Sequence, residues 1–242
     1  MRDERKSSDQ AGTDMKICEE IIKLYTNGYL RLFSLKSKVS GAYPLPKGPK
    51  IIAANHPNAT DSFHLVPVLD ETPHFLMRSK LFSKPIVGWL LNQTGQIEVN
   101  IAGKKSFEKA CNLLRYGQTI VIYPEGRLNP NYEKIKVKSG AVRMSLVTGV
   151  PIIPLGIYVP PVHVKDLRSF LNGRLSNGRW QVSGTCYLRL GTPWTPRLSG
   201  QLPAEIHHLS QIMMNQIYCL VDEIKKELTC ESHTSLNPIP QW

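Results

Sequence analysis

Apolar residues fall along this chain in two kinds of run, and the two kinds alternate. Ile51 to Ala54, His74 to Arg78, Gln96 to Asn100, Thr119 to Tyr123, Pro151 to Val159 and Thr185 to Gly191 are short, mostly apolar and bounded by Gly, Pro or polar positions. Such runs predict strands. Between them the apolar positions recur at the spacing of one helical face. That spacing predicts helices over Ala59 to Val68, Leu81 to Gln93 with Trp89 and Leu90 turned to the core, Ser106 to Tyr116, Val137 to Thr148 and Pro203 to Leu228. Gly117 and Gly149 follow two of them, where a left-handed residue closes a helix. In the last, Ile206, Leu209, Met213, Ile217, Leu220 and Ile224 form a stripe suited to covering a sheet.

At the start, Ile17, Ile21, Leu24, Tyr25, Leu32 and Phe33 predict an amphipathic helix within Asp14 to Leu35, with a weak point at Asn27-Gly28. Strands alternating with helices imply an α/β fold: a single domain on a mostly parallel central sheet flanked by helices, with an N-terminal amphipathic helix. The divisions this suggests are a flexible start and helix over 1–40, a main domain over 41–230 with its motifs in 51–160, and a polar tail over 231–242. Leu167 to Arg179, rich in Gly and Asn, reads as a surface excursion.

Composition removes several function classes. The 242 residues suffice for one large domain with a real core. No stretch reaches the roughly 20 apolar residues of a membrane span, and the best candidate, Val150 to Val162, is broken by Pro151, Pro154, Pro160 and Pro161. Met1 to Gln10 is charged with both signs and has no apolar centre, so no secretory signal is expected. Five scattered cysteines without a Cys-x-x-Cys pair suggest neither a disulfide framework nor a zinc site, and fit a reducing cytosol. A net charge of +11 favours anionic partners such as nucleic acid, an acidic membrane surface or phosphorylated small molecules. Its cations recur in clusters, among them Arg78/Lys80/Lys84, Lys104/Lys105/Lys109 and Lys134/Lys136/Lys138, each also compatible with a plain solvated face.

The chemistry gathers at two strand ends. Ile51 to Ala54 stops at Asn55-His56-Pro57, because Pro57 offers no N–H and pushes His56 out of the helical region. Asp61 follows five positions on, in the first turns of the next helix. A carboxylate folded back onto Nδ1 of His56 would leave Nε2 free to take a proton from a hydroxyl. The same residues also suit a loop histidine and an aspartate capping its own helix. Ile120 to Tyr123 ends likewise, at Pro124-Glu125-Gly126-Arg127. Arg127 offers a phosphate a planar fork of donors, and Gly126 allows a ligand close to the backbone. In open α/β sheets ligands bind beyond the carboxyl ends of the strands, so the two turns can line one crevice.

Taken together, these stretches resemble the glycerolipid acyltransferase family, best known for the 1-acyl-glycerol-3-phosphate acyltransferases. Its first motif matches Asn55, His56 and Asp61, and its third matches Tyr123-Pro124-Glu125-Gly126-Arg127. The apolar strand with two prolines matches Val150-Pro151-Ile152-Ile153-Pro154-Leu155, and the Lys-x-Gly before it matches Lys138-Ser139-Gly140. The resemblance covers roughly Gly41 to Pro160. Two positions depart from it. Asn100 stands where the second motif has Arg, and Arg127-Leu128-Asn129 where Thr-Arg-Ser is usual. That variant is similar to the subgroup acting on lysophosphoethanolamine-type lipids, and Lys104 and Lys105 could supply the lost charge.

The resemblance implies catalytic His56 and Asp61. His56 deprotonates the hydroxyl of a lysophospholipid acceptor (lysophosphatidate or a related glycerolipid), and that oxygen attacks an acyl-CoA or acyl carrier protein thioester. Asp61 steadies the imidazolium. Backbone N–H groups near Gly126 or after Pro57 would meet the oxyanion, and Glu125, Gly126, Arg127, Lys104 and Lys138 would hold the acceptor, Glu125 by ordering its loop. No metal and no cofactor beyond the acyl donor as co-substrate is expected. The substrate is itself the nucleophile, and the chain has no Gly-x-Ser-x-Gly elbow for a serine esterase. The expected setting is peripheral, on the cytoplasmic face of a membrane with an anionic surface. A catalytically silent lipid-binding protein of the same fold is the rival reading. Nucleic acid is not expected as a partner, since no binding motif accompanies the charge.

Overall fold

A computed structural model describes residues 17, 20–69, 72–99, 103–133, 135–171, 174–200 and 202–235, apart from the side chains of 168–177, 202 and 231–235. Its central strand is β2 (Lys50–Ala54), with all five residues buried. β2 lies between two other parallel strands, β5 (Thr119–Ile122) and β6 (Ile152–Tyr158). The full seven-stranded order is β1-β9-β6-β2-β5-β3-β4, with β1 (Lys36–Gly41), β3 (His74–Arg78), β4 (Ile97–Val99) and β9 (Thr185–Leu190). Every pairing is parallel except β6 with β9.

Alternate residues of the central strands feed opposite cores, as the period of two requires. Ile51, Ala53, Ile120, Ile122 and Ile152 face a cluster with Cys111 and Leu114 of α5 (Lys104–Arg115), Val142 and Met144 of α6 (Gly140–Thr148), and Met213 and Ile217 of α7 (Leu202–Ser235). Ile52, Ala54, Val121, Ile153 and Leu155 face Leu65 of α2 (Asp61–Leu65), with Val66 and Leu69 just beyond it. A sheet covered on both faces explains why its strands read as unbroken apolar runs. The predicted mostly parallel α/β domain is the fold observed.

Several local expectations change. The N-terminal helix α1, residues 20–32, runs through Asn27-Gly28 without a break. It packs on the domain through Thr26, Leu30 and the Tyr29 ring, 5.0 Å from the Phe63 ring, while Ile21, Leu24, Tyr25 and Leu32 stay exposed. The helix expected at Leu81 to Gln93 is two helices, α3 (Ser79–Phe82) and α4 (Pro85–Gln93). Trp89 is exposed rather than buried, because Gly88 and Leu91 occupy the inner side of α4. α2 is shorter than Ala59 to Val68, and α6 starts at Gly140 rather than Val137. Leu167 to Arg179 falls within a two-stranded antiparallel pair, β7 (Val164–Leu171) and β8 (Arg174–Gln181); Asn172 and Gly173 between them lie outside the described residues. β1 was not expected: it is mostly exposed, and only its partner β9 defines it. α7 continues past Leu228 to Ser235. The loose start over 1–13 and the end of the tail over 236–242 lie outside the described residues.

Candidate active site

β2 stops because the Asn55 side chain takes over from its main chain. The amide donates to the Ile157 carbonyl at 2.8 Å and accepts the Ile157 N–H at 2.7 Å, so the backbone is released to turn. At that turn Nδ1 of His56 donates to Oδ2 of Asp61 at 2.9 Å. The donor must be the ring nitrogen, since a carboxylate only accepts, and Nε2 is left with a lone pair. Asp61 is fully buried, and its Oδ2 also accepts the Asn58 N–H at 2.9 Å. The imidazole stays partly open to solvent. Its face is covered by the Tyr123 ring, stacked at 4.0 Å between centroids and 11° between planes. Tyr123 is held in turn by a 2.9 Å bond between its hydroxyl and that of Ser62. Burial, then the nearby Asp61 carboxylate, push the Tyr123 phenol well above its usual value, so it stays protonated.

The β5 turn is bound to the same histidine through the main chain. Oε2 of Glu125 accepts the His56 N–H at 2.6 Å, and the Asn129 N–H donates to the His56 carbonyl at 2.8 Å. The other oxygen, Oε1, accepts from Nδ2 of Asn129 at 2.9 Å and from the hydroxyl of Tyr218 on α7 at 2.8 Å. Burial raises the pKa of Glu125, and these hydrogen bonds work against that rise. The carboxylate is therefore occupied inside the protein, ordering its loop.

In front of this turn lies an open cleft of about 540 Å³, lined by Arg78, Glu125, Gly126, Arg127, Ile135, Lys136 and Lys138. Four of the seven are cationic. Arg78, at the end of β3, donates to the Gly126 carbonyl at 3.1 Å. Arg127 is paired with Glu133 at 3.2 Å, both well exposed, a contact worth little in water. Gly126 has φ +67°, and the Lys138 stem lies across it. Among the described residues no group of His, Cys, Asp and Glu is arranged to hold a metal ion.

The acyltransferase family model matches residues 36–158, from the first residue of β1 to the last of β6, and so takes in both turns. The chain belongs to the acyltransferase family. It is 31% identical over 134 residues to a 1-acyl-sn-glycerol-3-phosphate acyltransferase of Borreliella burgdorferi, covering 53% of this chain and 54% of that one. A chloroplastic protein of the same name from Brassica napus is 24% identical over 126 residues, covering 50% of this chain and 36% of its own length. The chain thus spans about half or less of the curated relatives it matches. The 1-acyl-sn-glycerophosphate acyltransferase PlsC of Thermotoga maritima has the same fold, with a TM-score of 0.65 at 22% identity over 93% of this chain and 84% of that one.

Within this acyltransferase-family chain the structure brings together His56, Asp61, Glu125, Gly126, Arg127 and Lys138, all singled out from the sequence. Lys104 is not among the residues lining the cleft. It sits at the first position of α5, after β4. Asn100, at the departed second motif, lies outside the described residues. Arg78, Lys136, Asn129, Tyr123 and Tyr218 take part without having been given these roles. Arg78 had a signal: it ends a strand on the same edge of the sheet as the other two turns. Tyr218 had none, because 93 positions separate it from Glu125.

Proposed function

We propose that this chain is a glycerolipid O-acyltransferase that moves a fatty acyl group from a thioester to the hydroxyl of a lysophospholipid, lysophosphatidate or a close relative. The observation that carries this reading is the His56–Asp61 pair, its Nε2 unengaged among the described residues, joined through Glu125 to a cationic cleft. In the proposed reaction Nε2 takes the hydroxyl proton as the acceptor oxygen bonds to the thioester carbonyl carbon. Asp61 stabilises the imidazolium that results, and His56 then returns the proton as the C–S bond breaks and the thiol departs. Backbone N–H groups of the Pro124–Arg127 turn or of the start of α2 are the proposed partners of the oxyanion.

Arg78, Arg127, Lys136 and Lys138 are proposed to hold the acceptor phosphate. Arg78 is proposed to supply the charge that Asn100 lacks, with Lys104, at the start of α5 and outside the cleft lining, as a further candidate. The proposed donor is acyl-CoA or acyl carrier protein. The protein is proposed to work peripherally, on the cytoplasmic face of an anionic membrane. Among the described residues no helix is long and apolar enough to cross one, and α1 exposes Ile21, Leu24 and Leu32. The test is thiol release from each donor with a panel of lysophospholipids, the product identified by mass. No turnover with any pair would leave the silent lipid-binding reading in its place.

A further inference from the structure

From Pro73 to Ile97 the chain carries no carboxylate, and Arg78, Lys80 and Lys84 give it three permanent cations. The middle of this segment is the α3–α4 pair, and it exposes large apolar side chains: Ile86 is 82% exposed, Trp89 55%, and Val87 and Leu81 nearly half. At about 100° per residue Ile86, Val87 and Trp89 share one arc of α4. The buried Gly88 and Leu91 share the opposite one.

The two helices are closely joined. A Cβ on Gly88 would collide with the Phe82 carbonyl oxygen, so α4 already lies in backbone contact with the end of α3. The elbow is tied by Gly88 N–H to the Lys84 carbonyl at 2.6 Å, and by the Ser83 hydroxyl to the Lys80 carbonyl at 2.9 Å. At the far end the Thr94 hydroxyl donates to the Leu90 carbonyl at 2.8 Å. The pair is a stiff, preformed surface.

The geometry points to α3–α4 as a docking wedge for an anionic bilayer surface. Leu81, Ile86, Val87 and Trp89 enter the interfacial layer, and Lys80 and Lys84 meet the headgroup phosphates. A tryptophan and aliphatic side chains beside Lys80 and Lys84 have the composition that settles at a lipid–water boundary. The position suits it as well. Arg78, the residue before α3, lines the cationic cleft and bonds to Gly126. The wedge is therefore continuous with the cleft mouth, and docking through it sets that mouth at headgroup level. This last step rests on the acyl-transfer reading above; the docking itself does not.

The test is sedimentation of the full chain with vesicles of phosphatidylcholine, with and without phosphatidylglycerol, in the absence of acyl donor. Ile86→Ser with Trp89→Ser should lower vesicle binding at least about tenfold, because two large apolar groups no longer leave water. Lys80→Gln and Lys84→Gln should each cost about fivefold on the anionic vesicles and little on phosphatidylcholine alone. Turnover of a dispersed, water-soluble lysolipid should be unchanged in all of them. Lipids brominated on their acyl chains give a second reading without disturbing the fold: they should quench the parent protein's fluorescence, and Trp89→Phe should remove most of that quenching. Unaltered vesicle binding in the double serine variant, or unaltered quenching in Trp89→Phe, would overturn the wedge. So would a dimer that the serine variant splits without loss of vesicle binding, since the face would then belong to a second copy. If the parent transfers no acyl group to any lysolipid, only the function proposed above fails, because vesicle binding is read without turnover.

Discussion

His56 and Glu125 are joined by a hydrogen bond from the main-chain N–H of the first to Oε2 of the second, at 2.6 Å. The Asn129 N–H closes the loop onto the His56 carbonyl, so the turns after β2 and β5 are one bonded unit. The imidazole is thus positioned twice: through its side chain by Asp61 and Tyr123, and through its backbone by the acidic turn. This has consequences for several substitutions.

His56→Ala should lower kcat by about 10²–10⁴-fold, the usual worth of a positioned general base. Asp61→Asn should lower kcat as well, since a neutral amide does not stabilise the imidazolium and, with its NH2 turned to Nδ1, favours the wrong tautomer. Thiol release at saturating acceptor measures both. A His56→Ala enzyme as fast as the parent would remove this residue from the chemistry.

Glu125→Gln should destabilise the fold by about 1–3 kcal/mol, because the new NH2 group must face a buried donor that had an acceptor. Tyr218→Phe is milder, at about 1 kcal/mol or less, since Asn129 still bonds to Oε1 of Glu125. Urea unfolding reads these losses. Equal stability of parent and Glu125→Gln would mean that the carboxylate does not tie the two turns together.

Arg78→Ala should raise the KM for a phosphate-bearing acceptor more than it lowers kcat, the pattern of a lost uniform binding contact. Arg127→Ala should have the smaller effect, because its guanidinium already shares Glu133. Donor KM should be unmoved in both, and a change confined to the donor would reassign the cleft. Initial rates over a range of each substrate supply the comparison.

His64 offers a pH test of the scaffold behind the site. Its Nε2 donates to Oε1 of Gln181 at 2.8 Å, and its Nδ1 accepts from the Ser37 hydroxyl at 2.8 Å, a neutral ring fully enclosed. Burial lowers its pKa, with the Asp61 charge opposing. The unfolded chain therefore binds the proton first, near the ordinary value of about 6.5. Stability from this group is complete above that value. It should fall by about 1.4 kcal/mol per pH unit below it, until the folded ring titrates. His64→Gln should flatten that slope in urea unfolding measured at successive pH values. An identical slope in both proteins would show that His64 does not titrate between folded and unfolded states.

How much of this is legible in the sequence differs from residue to residue. Ile51 to Ala54 and Thr119 to Tyr123 announced themselves because both faces of their sheet are covered, leaving no polar alternation to blur the run. β1 did not, since Lys36–Gly41 is an edge strand whose pairing with β9 is invisible in its own residues. The β7–β8 pair carried a readable sign, Asn172-Gly173 between extended runs, which favours a tight turn. Trp89 went to the wrong side because apolar size suggested burial, whereas the close approach of Gly88 to Phe82 settled which face of α4 turns inward.

By itself the sequence determined the α/β alternation and put Asp61 within reach of His56, a pairing that the family resemblance favoured over an aspartate capping its own helix. Both depend on residues that are near neighbours along the chain, where proline, spacing and periodicity act directly. Only the tertiary structure decided that Arg78 shares a cleft with Arg127 and Lys138, that Tyr218 anchors Glu125, and that α4 presents its apolar side to solvent. Those outcomes follow from which strands lie side by side and which helix crosses which, and contacts between distant residues leave no local pattern to read.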